Sequence, residues 1–253
     1  MKTHLNFNAP FDEAVEFWRG KGVNLPTDTW RDIWQSQHDN AFVVAGVTNA
    51  ELLADIKELM RQAIEEGLPF KTFAQNFHQI ASDRGWTTWD DYSNAQKAWR
   101  IQTIYNTNFR TAYAAGRHRR QIQSGVPYLV YRHSDFVLYP RIAHEELDGL
   151  CLPTEHSFWN THYPPNGWGC QCYVQGALKQ KNGTLEENEA LAANAAPPEK
   201  GWNYAPGQSL VDKGFLEKKI QNIPALFAAT LFKWLAGKSE NLKNWLTKKG
   251  LYP

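Results

Sequence analysis

The sequence carries almost no net charge, has no long apolar run and contains few cysteines. Lys and Arg number 27 against 26 Asp and Glu in 253 residues, a formal charge of +1. A dedicated nucleic-acid binder usually shows a basic excess or a basic stripe, so this balance leaves room only for a local basic patch. No stretch approaches the roughly 18–20 consecutive apolar residues of a membrane span, so no membrane partner is expected. The first ten residues hold one lysine and no apolar core, which does not read as a signal peptide; the expected location is the cytoplasm. Three cysteines, an odd number, with Cys170 and Cys172 one residue apart, do not make a disulfide framework in a reducing compartment. Signatures of common enzymes are missing as well. His144-Glu145-Glu146-Leu147-Asp148 ends in Asp where a zinc-protease helix needs its second His, and no nucleophile elbow, phosphate-binding loop or dinucleotide fingerprint occurs.

What is present is an ordinary globular composition, 42% hydrophobic and 21% charged, with many aromatics: 11 Trp, 10 Tyr and 13 Phe. Such side chains fill cores and anchor interfaces. The first half reads as helical. Phe11, Ala14, Val15 and Trp18 form a short stripe after Asn8 and Pro10, and Trp30, Ile33, Trp34 and His38 suggest a second helix. The run Phe42–Val47 is ambiguous between a helix end and an extended piece. Thr48 and Glu51 match a capping box, behind which Leu52, Leu53, Ile56, Leu59, Met60, Ala63 and Ile64 recur at helical period up to Gly67. Phe70, Phe73, Phe77 and Ile80 mark the next helix. A long one is predicted from Tyr92 to Gln123, with Tyr92, Ala95, Trp99, Tyr105, Phe109, Ala112, Tyr113 and Gly116 on its apolar side.

After Pro127 the texture changes. Tyr128–Tyr131 and Phe136–Tyr139 are β-prone and suggest a hairpin, Cys172–Val174 suggests another strand, and Leu185–Ala196 a polar helix or connector. The expected fold class is α+β: a helical region over 1–125, a β-containing, loop-rich region over 126–210, and a helical tail over 211–253.

Chemistry concentrates between His144 and Cys172, which also includes Cys151, His156 and His162. Zinc takes four sulfur or nitrogen ligands in a tetrahedron. His144, Cys170 and Cys172 with Cys151, His156 or, first choice, His162 as the fourth form a candidate site for a structural zinc ion. A buried thiol and a buried imidazole are also ordinary core residues, and a catalytic metal at the same residues is a third reading. Arg110, Arg117, Arg119 and Arg120 on the long helix make a candidate nucleic-acid contact; basic residues near a helix C-terminus also complement its dipole.

The order Arg141-x-x-His144-x-x-Leu147-Asp148-Gly149, then Phe158-Trp159, then Pro164-Pro165-Asn166-Gly167-Trp168-Gly169-Cys170-Gln171-Cys172 resembles the signature of the phage Mu F-like head-morphogenesis family. Gln171 stands where that family usually has Arg. The segments 104–117, 201–207 and 10–46 also look like family elements, so the resemblance covers about residues 10–207. The remaining tail has no counterpart in it, as expected of a shortened or prophage-borne member. The resemblance implies a minor head protein that acts early in procapsid assembly at the portal vertex, with portal, head and scaffold proteins as partners and the virion head as destination. It attaches no catalytic activity. Carried over as family motif are Arg141, His144, Leu147, Asp148, Gly149, Pro165, Gly167, Trp168, Cys170 and Cys172. A metal-dependent hydrolase or toxin-like domain using His144 and the cysteines, and a DNA-binding module using Arg110 to Arg120, remain the alternatives.

Overall fold

The computed structural model describes residues 11–25, 27, 37–137 and 139–208. The chain is α+β. Helix α1 (Asp12–Gly20) is followed by strand β1 (Val23–Asn24), helix α2 (Gln37–Asn40) and strand β2 (Ala41–Phe42). Helices α3 (Ala50–Glu65), α4 (Phe70–Asp83), α5 (Thr87–Asp90) and α6 (Asn94–Gln123) complete the helical half. Strand β3 (Tyr128–Arg132), helix α7 (Ile142–Glu145), strand β4 (Cys151–Pro153), helix α8 (Trp159–His162), strand β5 (Tyr173–Ala177) and helix α9 (Leu185–Ala193) follow. The second predicted helix, around Trp30 and Trp34, and the predicted tail helix lie outside the described residues.

Helix α3 buries the seven apolar residues its period predicts, Leu52 through Ile64. Each such burial contributes roughly 1.5–3 kcal/mol, and these side chains form the centre of a cluster with Trp18, Phe42, Phe73 and Phe77. Its N-cap is Asn49, whose side chain accepts from the Leu52 amide at 2.9 Å, and not Thr48 as the capping-box pattern suggests. Asn caps as well as Thr does, so a neighbouring pair of good caps leaves the register undetermined by one residue. Phe42 lies in extended chain, in the short parallel pair β1–β2.

Helix α6 runs 30 residues and starts at a capping box made by Ser93 and Gln96. Its buried residues are Ile101, Thr111, Ala112, Ala115, Gly116, His118 and Gln121; of the predicted apolar side, Ala112 and Gly116 are buried and Tyr92, Tyr105, Phe109 and Tyr113 are partly buried. Trp99 is 66% exposed. Tyr105, Phe109 and Tyr113 form a stacked row only partly buried against the helical core. The reason is that α6 packs on different neighbours along its length: α1, α3 and α4 on one side, β5 on another. No single stripe can serve both.

The second cluster gathers Leu129, Tyr131, Leu147, Leu152, Trp159, Tyr163 and Val174 around a three-stranded antiparallel sheet of order β4-β3-β5. β3 is its central strand, with Leu129 opposite Leu152 on one side and Arg132 opposite Tyr173 on the other. Of the predicted hairpin partner, Phe136, Val137 and Tyr139 are not in a strand; Phe136 and Tyr139 are 90% and 82% exposed on the connection to α7. Its place is taken by Cys151-Leu152-Pro153. Proline is tolerated at the end of this edge strand, because it lacks an amide for the ladder.

Helix α1 lies so close to α6 that a Cβ at Gly116 would sit 2.6 Å from the Ala14 nitrogen and 2.9 Å from the Glu13 carbonyl carbon. Both obstacles are backbone. Gly116→Ala gains about 1 kcal/mol of helix propensity but overpacks the crossing at a cost of about 1–3 kcal/mol. The expected net effect is a lower urea midpoint by roughly 1 kcal/mol of stability; a raised midpoint would mean that α1 does not approach α6 this closely.

Candidate metal centre

A ten-residue stretch from Tyr163 to Cys172 has almost no regular structure, yet most of it is buried. At its exposed bend, Trp168–Gly169, side chains bond the backbone. Arg110, halfway along α6, donates from Nη1 to the Gly169 carbonyl at 2.9 Å and to the Cys170 carbonyl at 3.2 Å. Arg141 donates to the Trp168 carbonyl at 2.8 Å and pairs with Glu199 at 2.7 Å. Glu199 in turn accepts from the Trp168 amide at 3.0 Å. A Cβ at Gly167 would meet the Glu199 carboxylate at 2.6 Å and push it aside. Gly169, at φ +71°, makes the bend that brings Cys170 back toward the sheet.

The bend and the sheet bring three predicted ligands together. His144 Nδ1 lies 3.7 Å from Cys170 Sγ and 3.7 Å from Cys172 Sγ, and the ligand atoms of all three residues lie within 4.8 Å of one another. A fourth group that sequence reasoning missed stands beside Cys172: His133 Nδ1 is 3.6 Å from its Sγ, next to the mutually close trio of His144, Cys170 and Cys172. His133 follows β3 directly. Because Arg132 pairs with Tyr173, the next step of the antiparallel register sets His133 beside Cys172. Nothing in the linear spacing carries that signal; only the strand pairing does.

The other motif residues hold these ligands. Asp148 accepts from the His133 amide at 2.8 Å and lies 3.6 Å from Arg132. Leu147 is buried in the sheet-side core. Gly149, at φ +88°, donates to the Tyr131 carbonyl at 2.9 Å, and a Cβ there would press on Asn182 at 3.0 Å. The His144 amide donates to the Arg141 carbonyl in the first turn of α7. Pro165 is buried after a cis peptide bond. Trp168 is partly exposed and meets Trp202 edge-on at 5.2 Å. Gln171, between the two cysteines, lines an open groove with Arg110 and Arg117.

The thiols are unequal. Cys170 is held well below its ordinary value, chiefly by the hydrogen bond from Cys172 and, against the opposing effect of burial, by that from His144. Cys172 is pushed up by sharing that bond and by burial.

The remaining candidates are not brought to this cluster. His162 stacks on Phe158 with ring centroids 4.3 Å apart, and its nitrogens face Thr161 Oγ1 at 2.8 Å and the Ala196 carbonyl at 3.3 Å. His156 accepts from the Phe158 amide. Cys151 is buried and accepts from the Lys181 amide at 3.4 Å. The arginines proposed for nucleic acid are engaged within the chain. Arg119 pairs with Glu16, Arg120 with Glu13 at 2.6 Å, and Arg117 lies over the Tyr173 ring at 5.4 Å. Arg110 is the clamp on the loop.

Behind the loop, His118 is buried against Tyr163, ring centroids 4.3 Å apart, and burial pushes its pKa down to about 4 despite a bond to the Pro206 backbone. The unfolded chain therefore binds a proton near pH 6.5 that the folded chain refuses until about pH 4. Stability from this residue is full above the unfolded value and is lost as pH falls through that window, by up to about 3 kcal/mol. Urea midpoints measured across it should fall less steeply for His118→Gln than for the unaltered chain. Identical slopes would mean His118 is not held neutral.

The family model described as Phage Mu protein F like protein matches residues 54–175, a span that includes His133, His144, Cys170 and Cys172. The chain is 28% identical over 257 residues to the protein named putative capsid assembly protein F of Escherichia phage Mu, an alignment covering 84% of this chain and 58% of that protein. It is 32% identical over 185 residues to the Mu-like prophage FluMu F protein of Haemophilus influenzae, covering 65% of this chain and 44% of the relative. The chain thus spans about half the length of the curated relatives it matches. No solved structure is significantly similar.

Proposed function

We propose that this chain, which over residues 54–175 matches the phage Mu protein F like family, is a minor head protein that acts in capsid assembly at or near the portal vertex. The observation that carries this reading is the similarity, across 84% of the chain, to a protein named for capsid assembly. In this reading the chain works by binding portal, head and scaffold proteins during assembly in the host cell and remains in the virion head. It acts without catalysis. Among the described residues no helix is long and apolar enough to cross a membrane.

The connection between β3 and α7 supports a binding role. Phe136 and Tyr139 project from a segment bonded at His133 on one end and Arg141 on the other, and Ile142, 72% exposed, follows at the start of α7. Exposed aromatic and aliphatic side chains on a braced loop are the kind that anchor protein interfaces. Replacing all three with Ser leaves the core untouched, so the unfolding midpoint should shift by no more than about 0.5 kcal/mol per site. Co-sedimentation with procapsids, or capture by the purified portal, should weaken about tenfold or more, the loss expected when interface anchors are truncated. Unchanged recovery with both would remove this loop from the assembly contact.

A further inference from the structure

We propose that His133, His144, Cys170 and Cys172 bind one zinc ion in a closed tetrahedral site. This is independent of the head-assembly reading and rests on the geometry of four side chains from three places in the fold: the end of β3, the turn of α7 and the loop into β5.

Zinc–sulfur and zinc–nitrogen bonds of about 2.3 and 2.05 Å give tetrahedral S···N edges of about 3.6 Å. Three of the four S···N edges stand at that length: His133 to Cys172 at 3.6 Å, and His144 to Cys170 and to Cys172 at 3.7 Å each. An ordinary hydrogen-bonded cluster accounts for this poorly. His144 Nδ1 offers a single lone pair and so can accept from one thiol, yet it stands equally far from both sulfurs. A cation shared between the three atoms gives that equidistance directly. The cysteines are free and not joined to each other.

The surroundings suit thiolate ligands. The Tyr131 hydroxyl and the Ser134 backbone bond to Cys172, and the Asn166 backbone bonds to Cys170. Tyr131 is itself held by Asn166 Nδ2 at 3.3 Å. Such outer contacts fix ligand orientation in structural sites. Two thiolates and two neutral imidazoles balance the charge of a divalent ion, and a mixed sulfur and nitrogen tetrahedron selects zinc over the hard cations. With four protein ligands no coordination position is left open for water, which makes the ion a staple and not a catalyst.

The test uses the full chain, purified reduced and without added chelator, with zinc measured by elemental analysis and the site then exchanged with cobalt(II). One zinc per chain is expected, with a cobalt spectrum of a tetrahedral two-thiolate site. His133→Ala should weaken metal affinity by about 100-fold or more, at least the loss seen when an outer-shell contact is removed, while His162→Ala should leave it unchanged. His133→Cys covers the case in which His133→Ala does not fold: it should keep the metal and strengthen the thiolate-to-cobalt absorption. A folded, reduced chain that takes up neither zinc nor cobalt would overturn the proposal. So would a folded His133→Ala protein binding as tightly as the parent, or a folded His133→Cys protein with an unaltered cobalt spectrum.

Discussion

A buried loop without regular secondary structure must have its backbone carbonyls and amides met by side chains, and that constraint organises this molecule. The stretch from Tyr163 to Cys172 is tied down by Arg110, Arg141 and Glu199, each of which reaches it from a different part of the chain. Removing Arg110 leaves the part-buried Cys170 carbonyl without this partner, which costs about 1–3 kcal/mol. The signature residues therefore make sense as a bonding plan. Arginines are there for carbonyls, glycines for a bend and a close approach, and Asp148 for the amide of His133.

The long helix α6 makes the plan physically possible. Its first half is packed against α3 and α4, and its second half carries Arg110, Arg117, His118 and Gln121 toward the sheet. Gln121 donates to the Val174 carbonyl at 2.9 Å and accepts from the Tyr163 hydroxyl at 2.8 Å. Gly207 donates to Asp39 at 2.8 Å, so chain from the far end of the signature region is bonded back to the helical half. The rigidity of the loop is thus supported by both hydrophobic clusters.

Much of this was legible before the fold was known, and the failures have physical causes. The buried face of α3 follows from period alone because one partner surface covers it. The face of α6 does not, because two different surfaces do. β-propensity in Phe136–Tyr139 misled because propensity describes a residue suited to a sheet, while the ladder formed with Cys151–Pro153 is set by tertiary pairing. Three members of the histidine and cysteine cluster could be named from the signature. His133 could not, since its place beside Cys172 depends on the register of β3 against β5. His162 lies in the same segment as the true neighbours, yet a helical turn carries its ring to Phe158 instead.

Geometry and family resemblance meet in one account: a braced loop presenting exposed apolar side chains, within a chain similar to a capsid assembly protein. The central claim is that this protein is needed to build heads. Deleting the gene from the inducible phage or prophage that carries it, and viewing the induced lysate by electron microscopy, tests that claim most directly. The account predicts absent or malformed heads beside intact free tails, restored when the gene is supplied in trans. Normal, filled and infectious particles from the deletion would contradict it.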